Sequence, residues 1–358
     1  MKKNKSYTGL IFTIVGIITF LIIMGVRMNG DDEEVVAEDK LGVENVASET
    51  DSNQENKQYV GLLQFMAHPS LDAITQGVID TLASNGFVDG ETITLDLQNG
   101  QGDQSNLNSM STRFVQNEAD LMIAIATPAA LAAANASTEI PLLLGAITDP
   151  ENVGLVESNE APGGNVTGVS DMTPIEEQLE LIRQIQPDAK TLGLLYSSSE
   201  DNSILQGEMA AELASQYGFE TVTRTVASTN DVSQVAQQLV AEVDAIWTPN
   251  DNVVASAFPS VLEVSNNAGI PVYPAVDMMV AQGGLATLGL NQYAIGVRTG
   301  EMAVQLLKDE INPATTPIVR ADVTDLVINF ETAELLGLTI PEELIDVAID
   351  AKELEAGE

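Results

Sequence analysis

From Tyr59 onward, short apolar segments alternate with amphipathic segments of helical length. The apolar segments include YVGLLQF, LMIAIAT and PLLLGAIT in the first half of this stretch, and TLGLLYS, AIWTP and PVYPAV in the second. Uninterrupted apolar strands that are joined by helices indicate right-handed βαβ units, whose parallel sheets are covered by helices on both faces. The alternation therefore predicts an α/β fold.

The strands form two successions, which are separated near Ser170 after the Gly-rich segment APGGNVTG. Each succession has enough strands for its own sheet, and a chain of 358 residues can bury two cores. The remaining C-terminal segments are too short for a third domain, so they must be shared between the two lobes through crossing strands and a hinge. We predict lobe one at 59–170 plus 291–312 and lobe two at 171–290 plus 313–350.

The N-terminal residues lie outside this alternation. Three lysines among the first five residues precede the uncharged apolar segment 8–26, and about 20 such residues span a bilayer core. Basic residues before the segment and acidic residues after it predict a cytoplasmic N-terminus. A signal peptide is the alternative, but it would need a shorter apolar region and a small-x-small cleavage site. We predict a transmembrane anchor in residues 1–28, followed by an acidic disordered tether at 29–58.

Composition argues against several functions. The chain carries 53 acidic and 14 basic residues, and the resulting negative field repels phosphate backbones, so no nucleic-acid partner is expected. Cysteine is absent and His68 is the single histidine, which leaves no thiolate chemistry, no spare histidine for a hydrolytic triad and no imidazole-rich metal site. The sequence also lacks the GxxxxGK[ST] and GxGxxG motifs. We expect no catalytic residue, metal or cofactor.

Polar residues follow the predicted strands at the point where each strand ends. Ligands of open parallel sheets bind beyond these carboxyl ends, where helix N-termini direct free N–H groups and a positive dipole. The segment ATPAA predicts a helix that is capped by Thr127 and has proline at its first position. Thr173 and Glu176 of DMTPIEEQ predict a capping box.

Carboxyl and hydroxyl groups at these strand ends are candidates for ligand contacts. Asp149 and Asp251 occupy equivalent positions in the two lobes, and Asp277 repeats the pattern in PAVDM. The segment YSSSEDNS adds hydroxyl and amide groups from Ser198, Ser199 and Asn202. Helix N-termini facing carboxylates would suit a zwitterion, because N–H groups hold its carboxylate and aspartates hold its ammonium. Turn initiation or helix capping alone is the alternative role for each of these residues.

The segments LLQFMAHPSLDAITQGVIDTL, ATPAA, ITDPENVGLV, PGGNVTGVSD, YSSSEDNS, TPNDN and LVINFETAELLGLTIP occur in this order. Together they resemble the ABC-transporter substrate-binding proteins that take up tryptophan and related aromatic amino acids, over about residues 58–350. The resemblance implies a type I periplasmic-binding-protein fold with three crossovers, an enclosed ligand, and delivery to a permease driven by an ATPase. By motif match it implies ligand contacts from Gln64, Thr127, Thr148, Asp149, Ser198, Ser199, Asn202, Asn250, Asp251 and Asp277.

These inferences predict a monomeric solute receptor at the extracytoplasmic face of the membrane. It would bind a small zwitterion, such as an apolar or aromatic amino acid, by hinge closure and without covalent chemistry. The usual lipobox cysteine of such receptors is missing, and the apolar segment 8–26 would replace it as the anchor. A sugar or nucleoside receptor of the same fold is one alternative, although aromatic residues for ring stacking make up only 4% of the chain. A carboxylate-based surface hydrolase is another, but no pair of acids is singled out.

Overall fold

The computed structural model describes residues 57–321 and 324–355. The predicted membrane segment 8–26 and residues 29–56 of the predicted tether lie outside the described residues. Across the part of the chain that is described, no helix combines the length and the apolar character needed to cross a bilayer.

Strands and helices alternate along the described chain, as the pattern of apolar segments predicts. The strands are β1 (Gln58–Gln64), β2 (Ile93–Asn99), β3 (Leu121–Ile125), β4 (Leu142–Gly145), β5 (Val166–Ser170), β6 (Thr191–Ser197), β7 (Glu220–Val226), β8 (Ala245–Thr248), β9 (Val272–Pro274), β10 (Ala286–Leu290), β11 (Val319–Arg320), β12 (Thr324–Ile328) and β13 (Ile349–Asp350). The helices are α1 (Pro69–Ser84), α2 (Gln104–Gln116), α3 (Thr127–Ala136), α4 (Ile175–Ile185), α5 (Asp201–Ala214), α6 (Val232–Leu239), α7 (Asn252–Ser256), α8 (Phe258–Ala268), α9 (Asp277–Ala281), α10 (Gln292–Leu307), α11 (Phe330–Leu335), α12 (Glu342–Ile345) and α13 (Ala351–Glu355).

Lobe one is built on a six-stranded parallel sheet in the order β11-β5-β4-β3-β1-β2. Every residue of β3, β4 and β5 is buried, which explains why these segments are apolar or small without alternation. Helix α10 packs closely along α1, because Gly296 brings the two backbones together: an added Cβ would lie 2.1 Å from the Ile74 carbonyl oxygen. The α10 residues therefore share the core of this sheet.

Lobe two is built on a four-stranded parallel sheet in the order β7-β6-β8-β9. A second sheet, β10-β12-β13, continues beside β9 through a hydrogen bond from Leu285 N to Val272 O of 2.7 Å. Strands β10 and β12 are antiparallel, so the prediction of a wholly parallel sheet in each lobe is wrong for lobe two. Strand β12 follows a strand of lobe one without an intervening helix, so no βαβ crossover constrains its direction.

The chain passes between the lobes three times, after β5, after β10 and after β11. The third passage lies later than predicted, because β11 pairs with β5 in the sheet of lobe one. The residues before β11 also bond to lobe one, with Gly163 N donating to Ala314 O at 2.9 Å and Ile318 N donating to Asn159 O at 2.7 Å. The predicted boundary at residue 313 is therefore wrong, and the segment through Arg320 belongs to lobe one.

The stability of the fold should depend strongly on Gly168, which lies in the central part of β5. Its φ angle is 153°, and an added Cβ would lie 2.3 Å from the Leu144 carbonyl oxygen of the neighbouring strand. Gly168→Ala should lower the free energy of unfolding by about 2 kcal/mol or more, measured as a lower Tm. Gly164→Ala is the matched control, since no heavy atom lies within 4 Å of its added Cβ. Equal Tm values for the two variants would contradict the argument.

Candidate functional site

A cavity lies between the lobes at the carboxyl ends of the parallel strands. Its free volume is about 10 Å³, room for roughly one water molecule, so the closed lobes leave little space between them. The lining residues come from both lobes and from the first crossover: Ser70, Leu71, Ala126, Thr127, Ala146, Thr148, Asp171, Asn202, Asn250, Asn252 and Gln292.

Helix N-termini surround the cavity. Helices α1, α3, α5, α7 and α10 each place a residue of their first two positions in the lining. The first N–H groups of a helix lack partners within the helix and carry its positive dipole end, so the cavity offers several sites for an anionic group. Two lining alanines have left-handed backbones, with φ of 76° at Ala126 and 60° at Ala146. Such strain concentrates at binding sites, where the surrounding structure holds it in place.

Asp171 is the one acid among the lining residues, and it is completely buried. Asn250 Nδ2 donates to its Oδ2, and Thr148 Oγ1 donates to its Oδ1 at 3.3 Å. No lysine or arginine of the described chain pairs with it. Burial raises the pKa of Asp171 to about 6, against the lowering effect of these two hydrogen bonds. A buried carboxylate without a counter-charge is the group that a ligand ammonium would neutralise.

Two further polar atoms of the lining are buried without a hydrogen-bond partner, Asn202 Oδ1 and Ser70 Oγ. The amide of Asn202 is oriented by its Nδ2, which donates to Asn250 O at 2.8 Å, so Oδ1 is left as an acceptor. Buried polar atoms in folded proteins are nearly always bonded, and each exception needs an explanation. A ligand whose donor groups bond to these two atoms would explain why the protein leaves them without a partner.

Side chains from the two lobes bond to each other across the cleft. His68 Nε2 lies 3.0 Å from Asn252 Oδ1, and Gln206 Nε2 donates to Thr148 Oγ1 at 3.4 Å. Because these contacts require the lobes to meet, the structure corresponds to the closed form of a two-lobed protein.

Four of the ten residues that the sequence suggested for the ligand line the cavity: Thr127, Thr148, Asn202 and Asn250. Gln64 is buried but supports the start of α1 instead. Its Nε2 donates to Met66 O and to Asp72 Oδ1, each at 2.7 Å, and its Oε1 accepts from the Thr75 hydroxyl at 2.7 Å. These bonds use both N–H groups of the amide and one acceptor position of its oxygen.

The three suggested aspartates lie outside the cavity lining. Asp149 is half-buried and accepts from Asn152 N at 3.2 Å, as a turn-initiating residue does. Asp251 caps α7 through Val254 N at 2.7 Å and accepts from Ser197 N at 2.5 Å. The Asp277 carboxylate accepts from Met278 N at 2.7 Å, and burial raises its pKa to about 7. The turn and capping roles therefore describe Asp149 and Asp251, whereas Asp277 is the first residue of α9.

Ser198 and Ser199 are exposed and also lie outside the lining. The Ser198 hydroxyl donates to Val226 O at 3.2 Å, and the Ser199 hydroxyl bonds to Ser197 Oγ at 2.8 Å. Neither serine caps α5, whose N-cap is Glu200.

Both predicted threonine caps are wrong. The N-cap of α3 is Ala126, and Thr127 is the first residue of the helix. The N-cap of α4 is Pro174, while the Thr173 hydroxyl donates to Gln206 Oε1 at 2.9 Å. In each case a tertiary contact or a strained backbone replaces the local motif.

Sequence reasoning missed seven lining residues, namely Ser70, Leu71, Ala126, Ala146, Asp171, Asn252 and Gln292. Asp171 had a usable signal, because it directly follows β5 as an acid at a strand end. It also lies at the predicted boundary between the lobes. The others are marked in the sequence only by their position near a helix start or, for Ala146, directly after β4.

Two α/β lobes, three passages of the chain between them and a cavity at the strand ends define a type I periplasmic binding protein. The family model described as "ABC transporter substrate binding protein" matches residues 59–352. The chain belongs to this family of ABC transporter substrate-binding proteins.

Relatives of known specificity are similar over most of the chain. The tyrosine-binding protein of Clostridioides difficile is 34% identical over 94% of each chain. An ABC domain from Streptococcus pneumoniae, solved in complex with L-Trp, is 44% identical with a TM-score of 0.80, covering 82% of this chain and 99% of that one.

A third relative is a substrate binding protein with adhesive properties from Clostridium difficile, solved in a ligand-free, open structure. It is 38% identical with a TM-score of 0.64, covering 82% of this chain and 98% of that one.

Proposed function

We propose that this receptor binds tyrosine or tryptophan as a zwitterion in the inter-lobe cavity and delivers it to an ABC permease and its ATPase. The observation that carries the proposal is Asp171, a buried carboxylate without a counter-charge that faces the cavity beside the unpartnered Asn202 Oδ1. An α-ammonium group supplies both a charge for Asp171 and a donor for Asn202. The aromatic side chain is proposed from the tyrosine-binding relative and the L-Trp complex.

The remaining parts of an amino acid also have suitable surroundings in the lining. A ligand carboxylate would accept from the first N–H groups of α1 and α3 and from the Ser70 hydroxyl, which has no partner of its own. Leu71, Ala126 and Ala146 provide apolar surface for the side chain. The two charged groups of the ligand would thus be held by opposite kinds of protein group.

The proposed mechanism is closure of the lobes around the ligand. Because Thr127 and Asn202 lie on different lobes, only the closed form contacts the ligand from both sides, and the ligand shifts the population toward that form. We propose a receptor rather than an enzyme, since the lining carries a single carboxylate where a glycosidase requires a pair. No step of the mechanism forms or breaks a covalent bond.

We further propose that the receptor works as a monomer at the extracytoplasmic face of the membrane. Residues 8–26 would anchor it, and residues 29–56 would connect the anchor to the lobes. The lobes would comprise 59–170 with 291–320, and 171–290 with 324–350.

Calorimetry on the full-length chain in detergent tests the ligand class. L-tyrosine and L-tryptophan should bind and raise the Tm, and a ligand at 100 times its Kd adds about 2.7 kcal/mol to the free energy of unfolding. Tryptamine and indole-3-propionate are matched controls, because each lacks one of the two charged groups, and both should bind at least tenfold more weakly. A panel in which arabinose, inositol or uridine raises the Tm and no amino acid does would overturn the proposal.

A further inference from the structure

His68 forms a side-chain hydrogen bond that joins the lobes. It is the N-cap residue of α1 in lobe one, and its Nε2 lies 3.0 Å from Oδ1 of Asn252, the first residue of α7 in lobe two. Both side chains are buried, with 7% of His68 and 4% of Asn252 exposed. The bond can exist only when the lobes are closed, and it lies beside the cavity because Asn252 is part of the lining.

Glu200 fixes the orientation of Asn252. Asn252 Nδ2 donates to Glu200 Oε2 at 2.5 Å, which leaves Asn252 Oδ1 as the atom that faces His68. Glu200 Oε1 in turn accepts from Val253 N at 3.0 Å. The carboxyl group is therefore bonded on both oxygens to the start of α7, and Asn252 presents an acceptor across the cleft.

The same bonds set the state of the His68 ring. Asn252 Oδ1 is an acceptor, so His68 Nε2 carries the proton, and Nδ1 has no partner. Burial lowers the pKa of His68, although the nearby Asp72 acts in the opposite direction. The lowered pKa keeps the ring neutral. The charged groups around the chain of bonds are Asp72 near His68 and Asp251 near Glu200, and no ion pair of the described residues involves either. The contact is a buried bond between neutral groups.

We propose that His68 and Asn252 form a latch that holds the closed form, with Glu200 as the residue that positions Asn252 for it. The latch rests on the proposed function, since it acts on release of the ligand enclosed by the same lobes. His68 does not line the cavity, so it acts on affinity through closure and not through contact with the ligand.

The latch makes a kinetic prediction. In the open form both groups are hydrated, while in the closed form removal of His68 leaves Asn252 Oδ1 buried without a donor, which destabilises the closed form. His68→Leu keeps an apolar group of similar size but removes the donor. We expect the dissociation rate of the ligand to rise about tenfold while the association rate stays within about twofold.

His68→Gln provides the matched variant, because its terminal amide nitrogen can donate from about the position of Nε2. It should restore most of the slow dissociation that His68→Leu loses. The melting temperature of the ligand-free, open protein should be equal in all three proteins, whereas a residue needed only for folding would lower it.

Stopped-flow binding on the full-length chain, with L-tyrosine and L-tryptophan as probes, measures both rates. Since the chain has no cysteine, Asn108→Cys and Glu212→Cys place one exposed spin label on each lobe, and the distance between the labels reports closure. At a saturating ligand concentration, a fraction of the His68→Leu molecules should remain in the open form, whereas the unchanged protein should be fully closed. Equal dissociation rates for the three proteins, or equal losses for the leucine and glutamine variants, would overturn the latch.

The same experiments distinguish an error in the proposed ligand class from an error in the latch. If neither amino acid binds the unchanged protein, the ligand class is wrong, and the comparison is repeated with the panel compound that does bind. The latch closes on any enclosed ligand, so a faster release from His68→Leu still supports it and an unchanged release still overturns it.

Discussion

Asp171→Asn should lower the affinity for tyrosine or tryptophan by about 100-fold or more. The substitution removes the charge that faces the ligand ammonium but keeps a side chain of the same shape, which can still accept from Asn250. Removing one partner of a buried, hydrogen-bonded charge pair typically costs about 2–5 kcal/mol. Isothermal titration calorimetry on the two proteins gives the ratio of the Kd values.

The stability of the ligand-free protein should change in the opposite direction. Burial raises the pKa of Asp171 to about 6, so the folded state binds a proton more tightly than the unfolded state, and its ionised form destabilises the fold at pH 7. Replacing this carboxylate with a neutral amide should therefore raise the Tm of the ligand-free protein or leave it unchanged. A lower Tm would indicate a structural role in place of a binding role.

Asp149→Asn is the matched control for this experiment. It makes the same chemical change at a half-buried strand end of lobe one, where the carboxylate accepts from Asn152 N outside the cavity. Its affinity should stay within about twofold of the unchanged protein. If Asp149→Asn loses binding and Asp171→Asn does not, the ammonium site has been placed at the wrong acid.

Much of the fold could be predicted because burial on both faces marks a strand in the sequence. Strands such as LMIAI and LLLG have every residue buried, and the helices between them require parallel pairing. The antiparallel β12 could not be predicted in the same way. Its direction depends on the path of the third crossover, and pairing between distant segments leaves no local pattern.

The site was less predictable, because strand ends are marked in the sequence but the direction of a side chain is not. Asp171 and Asp251 are both acids close behind strands. Asp251 bonds to Ser197 N of another strand and to the start of α7, whereas Asp171 is left facing the cavity. The difference is set by a backbone N–H that lies 54 residues away along the chain. Small lining residues such as Ala146 reach the cavity only through tertiary placement.

Binding should also weaken steeply in acid. Asp171 holds an ammonium group only when it is ionised, and its pKa in the ligand-free protein is raised to about 6 by burial. The bound ammonium favours the ionised form, so the complex has a lower pKa and binding releases a proton below pH 6. Affinity should be nearly constant above pH 7 and fall by about tenfold for each unit below pH 6, or roughly 100-fold between pH 7 and pH 4.

An aspartate with an ordinary pKa would lose less than about threefold over the same range, so the slope identifies the raised pKa. Calorimetry at each pH gives the affinity, and circular dichroism shows whether the protein remains folded.

Asp171 itself does not promote unfolding in acid, since a raised carboxyl pKa stabilises the fold as the pH falls through it. His68 has the opposite effect, because its lowered pKa costs stability below pH 6.5. Asp171→Asn should bind weakly at every pH without the slope, and a slope that persists in this variant would assign the proton to another group.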